Sequence, residues 1–262
     1  MSGEIKERAF DVRVLFIRHG QSANNVLAET HGHDYAAYMA GRVYEPPLSE
    51  IGHRQAELLA EKMAAGTANP IPPSQRLGWV TTEYPIARLY VSPMLRAMQT
   101  ALPISRALGL VPEVWVDIHE HGGIFTGNPE LGDIVGYPGL TTSQIAEQFA
   151  TYRVVEGVSD KGWWMGGYEE MDVCYTRACR VAERLFALYD ECEGSTIALV
   201  THGTFLDALM HALFVPDEAY GNRVHFSHLN TAVTRVDFGK GRRVALRYQN
   251  RVDHLPLEML TR

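Results

Sequence analysis

The chain has 262 residues, 46% of them hydrophobic, with ordinary proportions of charge, Gly and Pro, which fits a single domain, with or without an insertion, that buries a sizeable core. A formal net charge of −7 without a dense Lys/Arg run argues against nucleic-acid binding, so positive charge for any anionic ligand must be focused locally. No apolar stretch is long enough to cross a bilayer and the first residues lack the layout of a secretory signal, so a cytoplasmic chain with no membrane partner is expected.

Residues 12–17 (VRVLFI) form a short apolar run rich in β-branched residues that ends in Arg18-His19-Gly20, the pattern of a buried strand delivering polar groups at its C-terminal tip. Residues 53–65 (HRQAELLAEKMAA) have helical spacing. A second strand is expected at 87–91 (ARLYV), after which Ser92 reads as an N-cap and Pro93 as the first residue of a helix that carries Arg96 in its first turn. Residues 171–192 again have helical spacing and contain Cys174, Cys179 and Cys192, none in CxxC spacing, so reduced packing thiols are expected. A third strand, 196–200 (TIALV), leads into Thr201-His202-Gly203 and an apolar helix. Residues 230–238 and 242–250 read as two strands around Gly239-Lys240-Gly241.

Three strand tips thus carry Arg-His, Arg and His, each followed by a helical pattern. The expected fold class is α/β, with a mainly parallel central sheet and helices on both faces. In such sheets ligands bind at the C-terminal ends of the strands. Two stretches, about 66–85 and 122–170, read as insertions within this one domain (1–262), lying near the sheet edge or over the site.

Arg18 and Arg96 offer planar forks suited to bidentate contact with phosphate. His19 is a candidate nucleophile, and Gly20 beside it would let a phosphate approach the backbone. Arg-His-Gly alone is a weak signal, because a strand-end histidine is commonly just hydrogen-bonded structure. The ordered set LFIRHGQSANN, PLSEIGHRQA, YVSPMLRAMQTA, DIHEHGGIF and ALVTHG is more specific, and it resembles the histidine phosphatase superfamily, which includes the cofactor-dependent phosphoglycerate mutases. The resemblance implies a phosphoglycerate mutase-like fold and a metal-independent phosphatase that needs no cofactor and acts on a small phosphorylated organic substrate. It also implies roles: His19 as the residue that becomes phosphohistidine, Arg18, Arg96 and His202 as phosphoryl ligands, and Glu120 as the general acid.

His19 must then be neutral on its attacking nitrogen, with the other ring nitrogen held by a hydrogen bond, as to a backbone carbonyl. Glu120 must donate a proton to the leaving oxygen and later accept one from water. Asn25 and Ser22 follow the strand tip closely enough to add neutral donors, and the backbone of Gly203 at a helix entrance is a further candidate phosphate ligand. Asp117 and Glu130 are alternative acids. The His119-Glu120-His121 and His31-Gly32-His33 strings invite a metal reading but lack the spacing of a zinc helix motif, so no metal is expected. Phe125, Trp163, Trp164 and Tyr168 either line a substrate pocket or build a small core. His225, His228 and His254 read as structural or exposed.

The rival readings are a mutase using the same His19 and Glu120, and a phospholigand-binding protein without turnover. The segment after Asn25 departs from the tryptophan-containing elements of the glycolytic mutases, which favours the phosphatase. The aromatics and the shortage of Lys/Arg in 122–170 point to an uncharged or weakly charged leaving group. Association is open, with a homodimer the form the resemblance suggests.

Overall fold

The computed structural model describes residues 10–68, 85–192, 194–216 and 224–262. Most of the stretch 66–85 lies outside these residues. Its first three residues are not an insertion but the end of a helix, described below as α3.

A seven-stranded sheet has the order β6 (Arg153–Val154), β3 (Pro112–Val114), β2 (Ile86–Val91), β7 (Thr196–Thr201), β1 (Phe10–Arg18), β8 (Val233–Gly239) and β9 (Arg243–Arg251). The first five strands run parallel, whereas β8 and β9 pair antiparallel through the turn expected at 239–241. Parallel strands buried on both faces need apolar residues in succession, and β1 supplies them from Val14 to Ile17 with side chains alternating between the faces. Val14 and Phe16 pack with α6 (Met171–Glu191) and α7 (Gly203–Phe214) in one cluster. Leu15 and Ile17 pack with α3 (Glu50–Ala68), α4 (Leu95–Leu108) and α5 (Thr142–Gln148) in the other.

The register places three strand tips side by side. Arg18 at the end of β1 is level with Thr201 at the end of β7, and Val91 at the end of β2 is level with Val200. His19, His202 and the Ser92–Arg96 segment therefore leave the sheet at one edge, in the order dictated by β2, β7 and β1 lying next to one another.

The helix after β2 starts later than the sequence suggests. Its first residue is Leu95 and its cap position is Met94, whose N–H donates to Ser92 Oγ at 3.4 Å. Ser92 Oγ also lies 2.7 Å from His202 Nε2, so the serine links the helix entrance to the neighbouring strand tip. Two short helices not read from sequence, α1 (Ala23–His31) and α2 (Tyr35–Gly41), follow the β1 tip. Within 122–170, β4 (Phe125–Thr126) and β5 (Val135–Gly136) form a two-stranded ribbon, while β6 adds to the sheet edge. Trp163 packs with Met94 and Ile124 in a small third core, against which Trp164 also lies. Among the described residues no helix is long and apolar enough to cross a membrane. The thiols of Cys174, Cys179 and Cys192 are free.

Candidate active site

At the tips of β1 and β7 a cavity of about 290 Å³ is lined by Arg18, His19, Ser22, Asn25, Arg96 and Glu120 at its deep end. Tyr35, Tyr38, Met39, Arg42 and Tyr44 also line it, together with Phe125, Pro129 and Tyr168. The segment 122–170 thus lies partly at the sheet edge and partly over the cavity. Phe125 and Tyr168 face the cavity, while Trp163 and Trp164 build the core that anchors them.

His19 is nearly inaccessible, and its backbone is fixed at both ends. Its N–H donates to Thr201 O at 2.9 Å, and its carbonyl accepts from Asn230 Nδ2 at 3.1 Å and Thr231 N at 3.2 Å. Nδ1–H donates to the carbonyl of Gly20 at 2.7 Å, which sets the tautomer and leaves the lone pair on Nε2. Arg96 Nε donates to that lone pair at 3.2 Å. Burial, then the charges of Arg96 and Arg18, push the imidazole well below the usual 6.5, against the pull of the Gly20 carbonyl. The ring is therefore neutral at neutral pH.

Packing gives Gly20 a reason of its own to be a glycine. A Cβ there would sit 2.6 Å from Gly52 O, and one on Gly52 would sit 2.0 Å from Gln21 O. The pair lets the start of α3 pass directly against the loop that carries His19, so the close approach is backbone to backbone. Thr100 Oγ1 and Gln55 Oε1 accept from Gly20 N and Gln21 N and complete the lock.

Arg18 is held by a 2.5 Å hydrogen bond from Nη1 to His228 O, and its Nε has no partner among the described residues. Burial lowers it to about 10, so it stays charged at neutral pH. Burial lowers Arg96 as well, opposed by Glu120 and Glu45. Glu45, whose Oε1 accepts from Leu95 N at 2.9 Å, is pushed up by burial to about 7 despite Arg96 and that amide.

Ser22 and Asn25 reach the cavity as a capping box. Ser22 caps α1, Asn25 Oδ1 accepts from Ser22 N at 3.0 Å and Ser22 Oγ at 2.8 Å, and Asn25 N donates to Ser22 Oγ at 3.3 Å. With Oδ1 so engaged, the amide NH2 of Asn25 is the end left for a ligand.

His202 is wholly buried and does not line the cavity. Its ring centroid lies 5.1 Å from that of His19; Nε2 is taken up by Ser92 and Nδ1 has no partner among the described residues. Burial, with Arg96 and His19, pushes it well below 6.5. Gly203 also lies behind the wall: a Cβ there would meet Arg18 Nε at 3.2 Å, so the glycine seats the arginine. The free amides at the start of α7 serve Glu120. Oε1 accepts from Phe205 N at 2.8 Å and Oε2 from Thr204 N at 3.3 Å, so the carboxyl group fills the open amides of a helix N-terminus. His121 N donates to Oε1 as well, at 2.9 Å.

Of the three candidate acids only Glu120 enters the cavity. Asp117 faces Arg180 at 3.6 Å on the surface and Glu130 is exposed. Among the described residues no cluster of three or more His, Cys, Asp or Glu side chains could hold a metal ion. His228 is buried against Thr234 and His254 bonds Thr231, whereas the largely exposed His225 pairs with Asp207. Sequence reasoning missed Arg42, Tyr35, Tyr38, Asn230 and the Ser92–His202 contact. The polar partners stand far apart in the chain and carry no local pattern.

A PE-PGRS family protein, PE_PGRS11 of Mycobacterium tuberculosis, is 29% identical over 117 residues, 44% of this chain; the chain spans about 16% of that relative's length. Among solved structures, a mycobacterial glucosyl-3-phosphoglycerate phosphatase complexed with VO3 superposes with a TM-score of 0.53 at 22% identity, covering 91% of this chain and 98% of that one. An ecdysone phosphate phosphatase from Bombix mori gives 0.56 at 17% identity over 91% and 92%. An Entamoeba histolytica phosphoserine phosphatase gives 0.54 at 18% identity over 94% and 100%. At these identities the likeness is one of fold. The family description "Histidine phosphatase superfamily (branch 1)" matches residues 14–251, nearly the whole chain, and to that superfamily the chain belongs.

Proposed function

We propose that this protein hydrolyses phosphate monoesters of small organic molecules through a phosphohistidine on His19, without a metal. The observation that carries the reading is the neutral His19 ring, its Nδ1–H fixed on Gly20 O and its Nε2 lone pair turned toward Arg96 at the deep end of the cavity. Phosphoryl transfer asks mainly for a positioned nucleophile and charge stabilisation around the equatorial oxygens. Arg18 and Arg96 supply two positive charges, the Asn25 amide a neutral donor, and His202 Nδ1, unpaired among the described residues on a ring 5.1 Å from that of His19, a further donor.

In this reading the phosphate replaces His19 Nε2 as the partner of Arg96, which frees the lone pair. Nε2 attacks phosphorus, the ester P–O bond breaks, its electron pair stays on the leaving oxygen, and Glu120 gives that oxygen a proton. Water then attacks the phosphohistidine, passes its proton to the Glu120 carboxylate, and the N–P bond electrons return to Nε2. Inorganic phosphate leaves and the enzyme is restored.

The outer cavity supports a substrate class. Its walls are tyrosines, Phe125 and Met39, with the single cation Arg42 stacked 3.9 Å over the Phe125 ring and in no ion pair among the described residues. Such a surface suits a small organic leaving group bearing at most one negative charge, and is poorly matched to a polyphosphate.

Steady-state hydrolysis of phenyl phosphate by chelator-treated protein tests the proposal, with His19→Ala and Glu120→Gln alongside. Metal-independent turnover abolished in the first variant and strongly reduced in the second is the expected result. Absence of turnover would favour a binding protein, and turnover only on addition of a bisphosphate would favour a mutase.

A further inference from the structure

The buried pair Arg177–Glu169 lies outside the cavity, yet every hydrogen bond it makes to the backbone ends on the segment that carries Glu120. Arg177 projects from α6 and is 2% exposed; Glu169, just before that helix, is 5% exposed. The two meet as a fork, Nε to Oε1 at 2.9 Å and Nη2 to Oε2 at 2.5 Å. Nη1 donates to the carbonyls of Asp117 at 2.7 Å and His119 at 2.9 Å, the latter being the peptide immediately before Glu120. Two residues further on, Glu169 N donates to Gly122 O at 3.2 Å. The guanidinium also stacks 4.5 Å from the ring of Phe205, whose amide holds the Glu120 carboxylate.

Burial alone would raise the Glu169 carboxyl, but Arg177 and His119 outweigh it and hold it at about 2, so the pair is ionised. A buried ion pair of this kind is a weak source of stability compared with apolar packing of the same volume. What the fork provides is direction. A segment running from a single 3-10 turn (Val116–Ile118) into a loop has its carbonyls pinned on both sides of one residue, and that residue is the proposed acid.

We propose that Arg177, locked by Glu169, is a positioning residue for proton donation by Glu120. The inference rests on the phosphatase reading and adds to it a dependence on the leaving group. A misplacement of about 1 Å by a change remote from the chemistry costs on the order of 10²-fold when the displaced group takes part in the step. A leaving oxygen that is already a weak base needs no proton from Glu120, so for such an ester the displacement costs little.

The test compares benzyl phosphate, whose alkoxide leaves poorly, with 2,4-dinitrophenyl phosphate, whose phenolate leaves readily, in wild type, Arg177→Met and Glu169→Gln, with circular dichroism to verify folding. The expected result is a loss of kcat/KM on benzyl phosphate at least tenfold greater than the loss on the dinitrophenyl ester in both variants, and no further loss when either change is added to Glu120→Gln. Equal losses on the two esters, or none, overturn the proposal; Glu169→Gln keeps the volume of the pair and decides the matter if Arg177→Met fails to fold. Failure of the phosphatase reading itself is separate, because wild type would then hydrolyse neither ester.

Discussion

Arg96 Nε–H points at His19 Nε2 from 3.2 Å, so in the free protein the lone pair proposed to attack phosphorus is already in the grip of the group proposed to bind the phosphate. The contact keeps a positive charge against an imidazole that burial has already pushed below 6.5. A neutral Nε2 exists above the ring's pKa, so lowering that pKa extends the reactive form toward acid. Nitrogen-15 NMR of His19 at pH 6.5 is expected to show one neutral ring protonated on Nδ1. A ring half converted to imidazolium at that pH contradicts the assignment.

Ser92 is expected to matter through His202. Because its hydroxyl provides the one hydrogen bond of that buried ring among the described residues, Ser92→Ala removes it and should cost roughly 1–3 kcal/mol of stability together with a fall in kcat. Urea denaturation and phenyl phosphate hydrolysis measure the two effects. An alanine variant with wild-type stability would mean that the ring repairs its bonding elsewhere.

Gly20→Ala should be costly although the change adds a single methyl group. The added carbon meets Gly52 O at 2.6 Å, a backbone atom at the start of α3 that cannot swing aside, and overpacking of this kind costs about 1–3 kcal/mol. The expected outcome is a lowered denaturation midpoint and lost activity. An unaffected midpoint would show that α3 moves freely against the loop.

Arg42 is expected to read charge on the leaving group. With 4-carboxyphenyl phosphate and phenyl phosphate as a matched pair, wild type should favour the carboxylate by about tenfold in kcat/KM, a difference of about 1.4 kcal/mol. Arg42→Met should abolish the preference. A wild type indifferent to the carboxylate, or a variant that keeps the preference, removes Arg42 from substrate recognition.

Much of the core was legible because it repeats one pattern. The strands that became β1, β2 and β7 are mainly apolar runs ending in polar residues, and each lay within a residue or two of its predicted bounds. The helices α1 and α2 escaped notice for the complementary reason: neither has a buried residue, so no apolar period marks them, yet they supply Asn25, Tyr35 and Tyr38 to the cavity. At Ser92-Pro93 the helix starts two residues later than read, and Ser92 adds to its contact with Met94 N one that lies 110 residues away. The same holds for Arg177, a helix arginine whose spacing would suit a solvated face, and whose partners are fixed only once α6 packs on the loop before Glu120.

The central claim is the covalent one. Chelator-treated protein mixed with an aryl phosphate, quenched in alkali and digested, would be examined by mass spectrometry for a phosphoryl group on the peptide containing His19, with His19→Ala as the control. The account predicts an adduct on His19 that forms during turnover and is absent, together with turnover, in the variant. Hydrolysis that proceeds with His19 unmodified, or survives its replacement, would contradict it.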